Sequence, residues 1–178
     1  MQFQFTAMTL EYAQRIVEWK YAGQYAFYNY DKSKDHLLDG AKWGKTLFAA
    51  LDETAQLVGE LTLGFQDPQG QWLPQAAVDA GQLDGCILWI GFGLRPDLTG
   101  QGLGLAYVNA CVDFAVAFAR QHCQYSGEEI GLGVYQFNQR AIRVYERAGF
   151  VKFMERCPVI DGQAYPYQRM KKPVGDSG

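Results

Sequence analysis

Gly100, Gly102 and Gly104 alternate with Gln101 and Leu103 behind Thr99, and an apolar helical period follows at once through Leu105, Val108, Cys111, Val112, Ala115, Val116 and Ala119. Glycines in such a turn permit positive φ and let the backbone approach a ligand. The unpaired N–H groups and positive dipole end of the helix that follows favour an anion, usually a phosphate. The chemistry predicted from this stretch is the binding of a phosphate-bearing cofactor. Other reactive residue types are sparse. With only His36 and His122 in the chain, a histidine-based triad or a His-rich ligand set is not expected. Cys86, Cys111, Cys123 and Cys157 show no C-x-x-C spacing, so they read as reduced core thiols rather than disulfides or a zinc site, and no metal is expected. Gly44-Lys45-Thr46 matches the end of a nucleotide phosphate loop, but Asp39 stands where that motif has its first glycine. A helical pattern also precedes it and the strand-like LFAAL follows, the reverse of the required order, so the segment reads as a helix exit into a strand.

The glycine turn needs a strand before it and a helix behind it, and residues 87–94 supply a hydrophobic strand. Upstream, 2–8 reads as a strand, Leu10 to Lys20 as a helix, and 46–52 with 56–65 as an antiparallel hairpin turned at Asp52 to Ala55. Two stretches have no sustained period. The aromatic 21–34 segment serves either packing or a substrate mouth, and the Gly-, Pro- and Gln-rich 66–85 stretch is a long loop, functional or merely inserted. Downstream, 128–136 reads as a strand and 138–149 as a helix, with Asn138 as its N-cap and Gly149 as its left-handed stop. Two further strands, 150–156 and AYPYQRM, turn through Asp161-Gly162, and the terminal KKPVGDSG is expected to fray. Ile90-Gly91-Phe92-Gly93-Leu94 and Ile130-Gly131-Leu132-Gly133-Val134 repeat one pattern, each leaving one strand face bare for close helix packing or for a ligand. At 178 residues, 48% hydrophobic and 15% aromatic, the chain reads as one globular domain over 1–172 with a tail at 173–178. A net charge of −3 leaves no basic footprint for nucleic acid. No stretch is long and apolar enough to span a bilayer and no secretory signal is visible, so a cytoplasmic location is expected.

Leu94-Arg95-Pro96 followed by Thr99-Gly100-Gln101-Gly102-Leu103-Gly104 resembles the strand end and pyrophosphate turn, [QR]-x-x-G-x-[GA], of the GNAT superfamily of N-acetyltransferases. Asn138, Ala141, Tyr145, Gly149 and Phe150 match its second hallmark in order and spacing. Thr99 departs from the family pattern, which has Arg or Gln there. The resemblance implies an α/β (α+β) fold with a central, mostly antiparallel mixed sheet flanked by helices. It implies acetyl-CoA as co-substrate, with its pyrophosphate on the N–H groups of Thr99, Gly100, Gln101, Gly102, Leu103 and Gly104 and its pantetheine along Phe92 and Leu94. Asn138 and Tyr145 are the further cofactor contacts it implies, Asn138 standing equally as a plain N-cap. The activity implied is direct acetyl transfer to an amine of a small molecule, peptide or protein. The alternative reading is a non-catalytic acyl-CoA-binding or sensor module of the same fold.

An amine with a pKa near ~10.4 must lose a proton before it attacks, and the departing thiolate must gain one. Tyr145 is the expected proton donor. Glu60, mid-strand in LVGELTL, is the expected base if burial raises its pKa; the alternatives are a solvated, outward-facing Glu60, with Asp84 or a water in its place. The aromatic 21–30 segment and the 66–85 loop are where the acceptor pocket is expected. No nucleic-acid or membrane partner is expected, and a homodimer is left open.

Overall fold

In the computed structural model, residues 1–175 are described. The chain runs β1 (Phe3–Ala7), α1 (Leu10–Val17), α2 (Lys34–Leu37), β2 (Leu47–Asp52), β3 (Leu57–Gln66), α3 (Gln75–Asp79), β4 (Ile87–Leu94), α4 (Gly104–His122), β5 (Glu129–Tyr135), α5 (Gln139–Arg147), β6 (Val151–Arg156), β7 (Val159–Ile160), β8 (Gln163–Ala164) and β9 (Tyr167–Pro173). Seven strands form a sheet in the order β1-β2-β3-β4-β5-β9-β6, and β7 with β8 form a separate ribbon. The pairs β1/β2, β2/β3, β5/β9 and β6/β9 are antiparallel and β4/β5 is parallel. This is the mixed, mostly antiparallel sheet with helices expected from the sequence.

The chain packs as two compact units, the first made of Met1–Thr62 and Phe92–Tyr107, the second of Leu63–Gly91 and the chain from Val108 onward. In the first, Thr9 caps α1 by accepting from the Tyr12 N–H at 3.2 Å, and the helix turns Ala13 and Ile16, both fully buried, onto a cluster with Met8, Tyr30, Leu37, Leu47, Ala49 and Leu57. Truncating a side chain such as Ile16 there costs about 2–5 kcal/mol. The aromatic 21–34 segment is less irregular than its sequence suggests, forming 3₁₀ turns at Gly23–Tyr28 and Tyr30–Lys32. Gly44, at φ +72°, leads out of a 3₁₀ turn toward β2, so the Gly-Lys-Thr segment is the exit into a strand that its context predicts.

In the second unit, α4 buries Val108, Cys111, Val112, Ala115, Val116 and Ala119, the face the period predicts. The 66–85 loop holds a short helix, α3, and Trp72. Asn138 accepts from the Ala141 N–H at 3.2 Å as the N-cap of α5, and Gly149 at φ +90° ends it. Asp161 and Gly162, at φ +50° and +81°, form the two-residue turn between β7 and β8. Residues 171–175 are not frayed: Lys171 to Pro173 belong to β9, and the Val174 N–H donates to the Glu128 carbonyl at 2.8 Å. Residues 176–178 of the expected tail lie outside the described residues. The bare face of β5 is filled by aromatic side chains rather than a helix, whereas nothing lies within 4 Å of a Cβ built on Gly91 of β4. A Cβ on Gly131 would lie 2.8 Å from the Trp89 ring, and one on Gly133 would lie 1.6 Å from the Tyr167 hydroxyl. Cys86, Cys111 and Cys123 are buried free thiols, as expected of core residues, whereas Cys157 is exposed. Among the described residues, no helix is long and apolar enough to cross a membrane.

Candidate active site

The glycine turn is anchored at the end of β4. The Arg95 N–H donates to the Val58 carbonyl at 2.8 Å, and its guanidinium donates to the Leu57 carbonyl at 2.8 Å and to both Asp97 oxygens at 2.7 and 3.1 Å. That fork holds the Asp97 carboxyl below its ordinary value. A 3₁₀ turn at Pro96–Leu98 follows, then Thr99, then Gly100 and Gly102, both at φ +80°, where other residues are strained. The two polar side chains of the turn fold back on it. The Thr99 hydroxyl donates to the Pro96 carbonyl at 2.7 Å and the Gln101 amide to the Asp97 carbonyl at 2.6 Å. The Thr99 N–H is also spent on Pro96, at 3.2 Å, so the donors of this turn begin at Gly100. Nothing lies within 4 Å of a Cβ built on Gly102. Left-handed glycines, an open surface and the first turn of the 19-residue α4 suit a pyrophosphate.

Beside the end of β4, three oxygen-bearing side chains converge on Gly93. A Cβ there would lie 2.1 Å from the Tyr30 hydroxyl, 3.2 Å from Glu60 Oε1 and 3.3 Å from the Tyr21 hydroxyl. Glu60 is buried, at 7% exposure, and not outward-facing. Tyr30 donates to its Oε1 at 3.1 Å, Thr62 to its Oε2 at 3.4 Å, and the Gly93 N–H also supports it. Burial pushes the Glu60 carboxyl from an ordinary 4.5 up to about 7, and those three hydrogen bonds keep it from rising further. The Tyr21 and Tyr30 phenols are raised above 10.0 by burial and by the Glu60 charge, so both stay protonated; Tyr21 donates to the Leu94 carbonyl at 2.9 Å. Behind Thr62, His36 Nε2 lies 3.4 Å from its hydroxyl and His36 Nδ1 accepts from Lys42 at 3.1 Å, with burial first and Lys42 second lowering the His36 pKa. A group that ionises near neutrality, framed by donors and linked by hydroxyl and imidazole toward Lys42, is suited to general-base work.

Glu60, Phe92, Leu94 and the 99–104 turn thus belong to the first unit. Asn138 and Tyr145 belong to the second, on α5, where the half-buried Tyr145 ring meets Phe150 edge-on at 6.4 Å. Asp84, the weaker candidate for the base, is exposed. The sequence does not single out Tyr107. Its hydroxyl donates to the carbonyls of Glu60 and Gly93, each at 3.0 Å, tying the strand that carries the carboxylate to the end of β4. The signal for it is Gly59, which permits this contact: a Cβ at 59 would lie 2.1 Å from that hydroxyl and 2.7 Å from the Gly93 carbonyl. In the sequence Tyr21 and Tyr30 stand out only as part of an aromatic segment. They face Glu60 and β4, and Trp72 of the 66–85 loop packs edge-on against Trp89 at 6.1 Å.

The family model described as the Acetyltransferase (GNAT) family matches residues 8–150. No curated protein sequence matches the chain. Among solved structures, a chimera of the spermidine N-acetyltransferase SpeG from Vibrio cholerae and hSSAT is similar at a TM-score of 0.64 and 18% identity, covering 96% of this chain and 94% of its own. Mutant forms of the Vibrio cholerae spermidine/spermine N-acetyltransferase SpeG match at 0.64 and 16%, covering 97% and 95%. A dodecameric structure of the Vibrio cholerae enzyme in an intermediate state matches at 0.60 and 17%, covering 97% and 94%. At these identities the likeness is one of fold.

Proposed function

The chain belongs to the GNAT acetyltransferase family, and on that premise we propose direct acetyl transfer from acetyl-CoA to a primary amine, with Glu60 as general base and Tyr145 as general acid. Acetyl-CoA supplies the activated acetyl thioester. The turn from Gly100 to Gly104 and the start of α4 hold its pyrophosphate through main-chain N–H groups, the Thr99 and Gln101 side chains being engaged within the turn. Phe92 and Leu94 present backbone to the pantetheine, and Asn138 contributes through the N-cap that fixes the start of α5.

Glu60 takes the proton from the incoming ammonium. A carboxylate of ordinary pKa is a weak acceptor for that proton, and one raised to about 7 is better matched while still largely ionised just above neutrality. Glu60 returns that proton to solvent between turnovers. Tyr145, through its hydroxyl, gives a proton to the departing sulfur. The observation that carries this reading is the buried Glu60 carboxyl held by Tyr30, Thr62 and Gly93. The test is amine-dependent thiol release from acetyl-CoA by the wild type and by Glu60→Gln. Release that needs both substrates and collapses in the variant supports it; release unaffected by the variant removes Glu60 from the mechanism.

A further inference from the structure

Three neighbouring strands of the second unit put one row of side chains on one face of the sheet. Tyr135 is registered opposite Tyr167 across β5 and β9, and Tyr167 opposite Arg156 across β9 and β6. Directly opposed residues in antiparallel strands share a face, so two phenols and a guanidinium stand in line. The Tyr135 and Tyr167 rings are 5.0 Å apart at 62°, with Tyr165 edge-on to Tyr135 at 6.2 Å and Phe137 stacked on it at 6.1 Å. Gly133 lets the Tyr167 hydroxyl lie flat across β5. Cys157 and Pro158, where the chain leaves β6, close the row into a cleft of about 460 Å³. That volume suits an amino-acid-sized molecule.

Charge selects among such molecules. Arg156 is the sole formal charge among the lining residues. The adjacent Glu155 is already held by Lys152 at 2.7 Å and by the Gln136 amide at 3.1 Å, and no ion pair or hydrogen bond engages the Arg156 side chain among the described residues. Burial raises both phenols, so neither adds a negative charge near neutrality. Arg169, opposite Gly133 on β9, stacks its guanidinium on Trp89 at 3.8 Å and brings a second positive charge to this face. A ligand with a cationic tail would meet the guanidinium of Arg156, like charge against like, whereas a carboxylate would meet its planar fork.

Building on the acetyltransferase reading, we propose that this cleft binds the acceptor and that the acceptor is an amine bearing its own carboxylate, an amino-acid-like molecule anchored on Arg156 with its side chain over Tyr135 and Tyr167. Cys157 gives a readout independent of turnover, because it lines the cleft and is exposed while Cys86, Cys111 and Cys123 are buried. Alkylation of Cys157 by iodoacetamide is followed by peptide mass spectrometry on the full chain. The probes are phenylalanine, methionine and leucine, each beside its amine lacking the α-carboxylate, and spermidine. At least one of the acids slows alkylation while its decarboxylated partner and spermidine do not. Arg156→Gln weakens that protection about tenfold or more. Protection by none of the acids, equal protection by the amines or spermidine, or protection unchanged in Arg156→Gln overturns the proposal. Thiol release from acetyl-CoA, measured on the same panel, separates the two readings. Acids that protect Cys157 with no amine driving release leave the cleft standing and remove the transferase. Spermidine that drives release without protecting Cys157 does the reverse.

Discussion

Replacing Glu60 by Gln keeps the size of the side chain, exchanges one acceptor oxygen for an NH2 donor and removes its titration, so the pH dependence isolates the cost of ionising a buried carboxyl. The folded chain holds this group at about 7 against an ordinary 4.5. Its protonated form therefore favours folding: the stabilisation is complete below 4.5 and is lost as pH rises through about 7. At 1.36 kcal/mol per unit, the wild type loses about 3 kcal/mol between pH 4 and pH 8 that the Gln variant keeps. The pH-independent cost of rearranging the bonds to Tyr30 and Thr62 cancels when the same pair of proteins is compared across pH. Urea unfolding of both proteins in steps from pH 4 to pH 8 measures the difference. The wild type is the more weakened of the two at high pH, and the gap moves in its disfavour mostly between pH 5 and pH 8. A gap that stays constant with pH shows that Glu60 titrates normally and that the physical basis for its role as base is wrong.

Four further outcomes follow from the same geometry. Tyr145→Phe lowers kcat about 10²-fold, at the low end for loss of an acid–base group, and wild-type turnover across pH in that variant excludes Tyr145 from the mechanism. Tyr30→Phe removes a hydrogen bond that holds the Glu60 pKa down, so the lower limb of the pH–rate profile moves to higher pH; an unmoved limb breaks the link. Gly59→Ala places a methyl 2.1 Å from the Tyr107 hydroxyl and 2.7 Å from the Gly93 carbonyl, and the backbone contact cannot rotate away. It destabilises by about 1–3 kcal/mol in urea unfolding, and a neutral result denies the close approach of β3 and β4 there. Gly102→Ala meets no neighbour but forces a side chain to φ +80°, costing roughly 1 kcal/mol and raising KM for acetyl-CoA while the amine KM stays put; an unchanged acetyl-CoA KM removes the turn from the site.

Local signals are the readable ones. The period of Val108 to Ala119, the cap at Asn138 and the stop at Gly149 depend on residues close in the chain, and each element forms where that pattern places it. Glu60 is visible as a carboxylate in an apolar strand, but its burial depends on Tyr30 and Gly93, which lie far from it in sequence. The role of Tyr107 is hidden because a phenol on a buried helix face looks like packing until the carbonyls of Glu60 and Gly93 are seen beneath it. The cleft at Arg156 is beyond reach for a topological reason. β9 inserts between β5 and β6, so the row of Tyr135, Tyr167 and Arg156 exists only once that strand order is known. Residues 171–173 look like a polar tail because lysines dominate their start, yet the backbone is held in the ladder with β5 while Lys171 pairs with Glu129 and Lys172 donates to the Ala148 carbonyl.

The most direct test of the account is the pH dependence of thiol release from acetyl-CoA in the presence of an amine, run on the wild type and on Glu60→Gln. Release that requires both substrates and rises through a limb near pH 7 is expected, with a loss of about 10²–10⁴-fold in the variant and disappearance of that limb. Tight acetyl-CoA binding with no amine-dependent release, or an identical profile in both proteins, contradicts it.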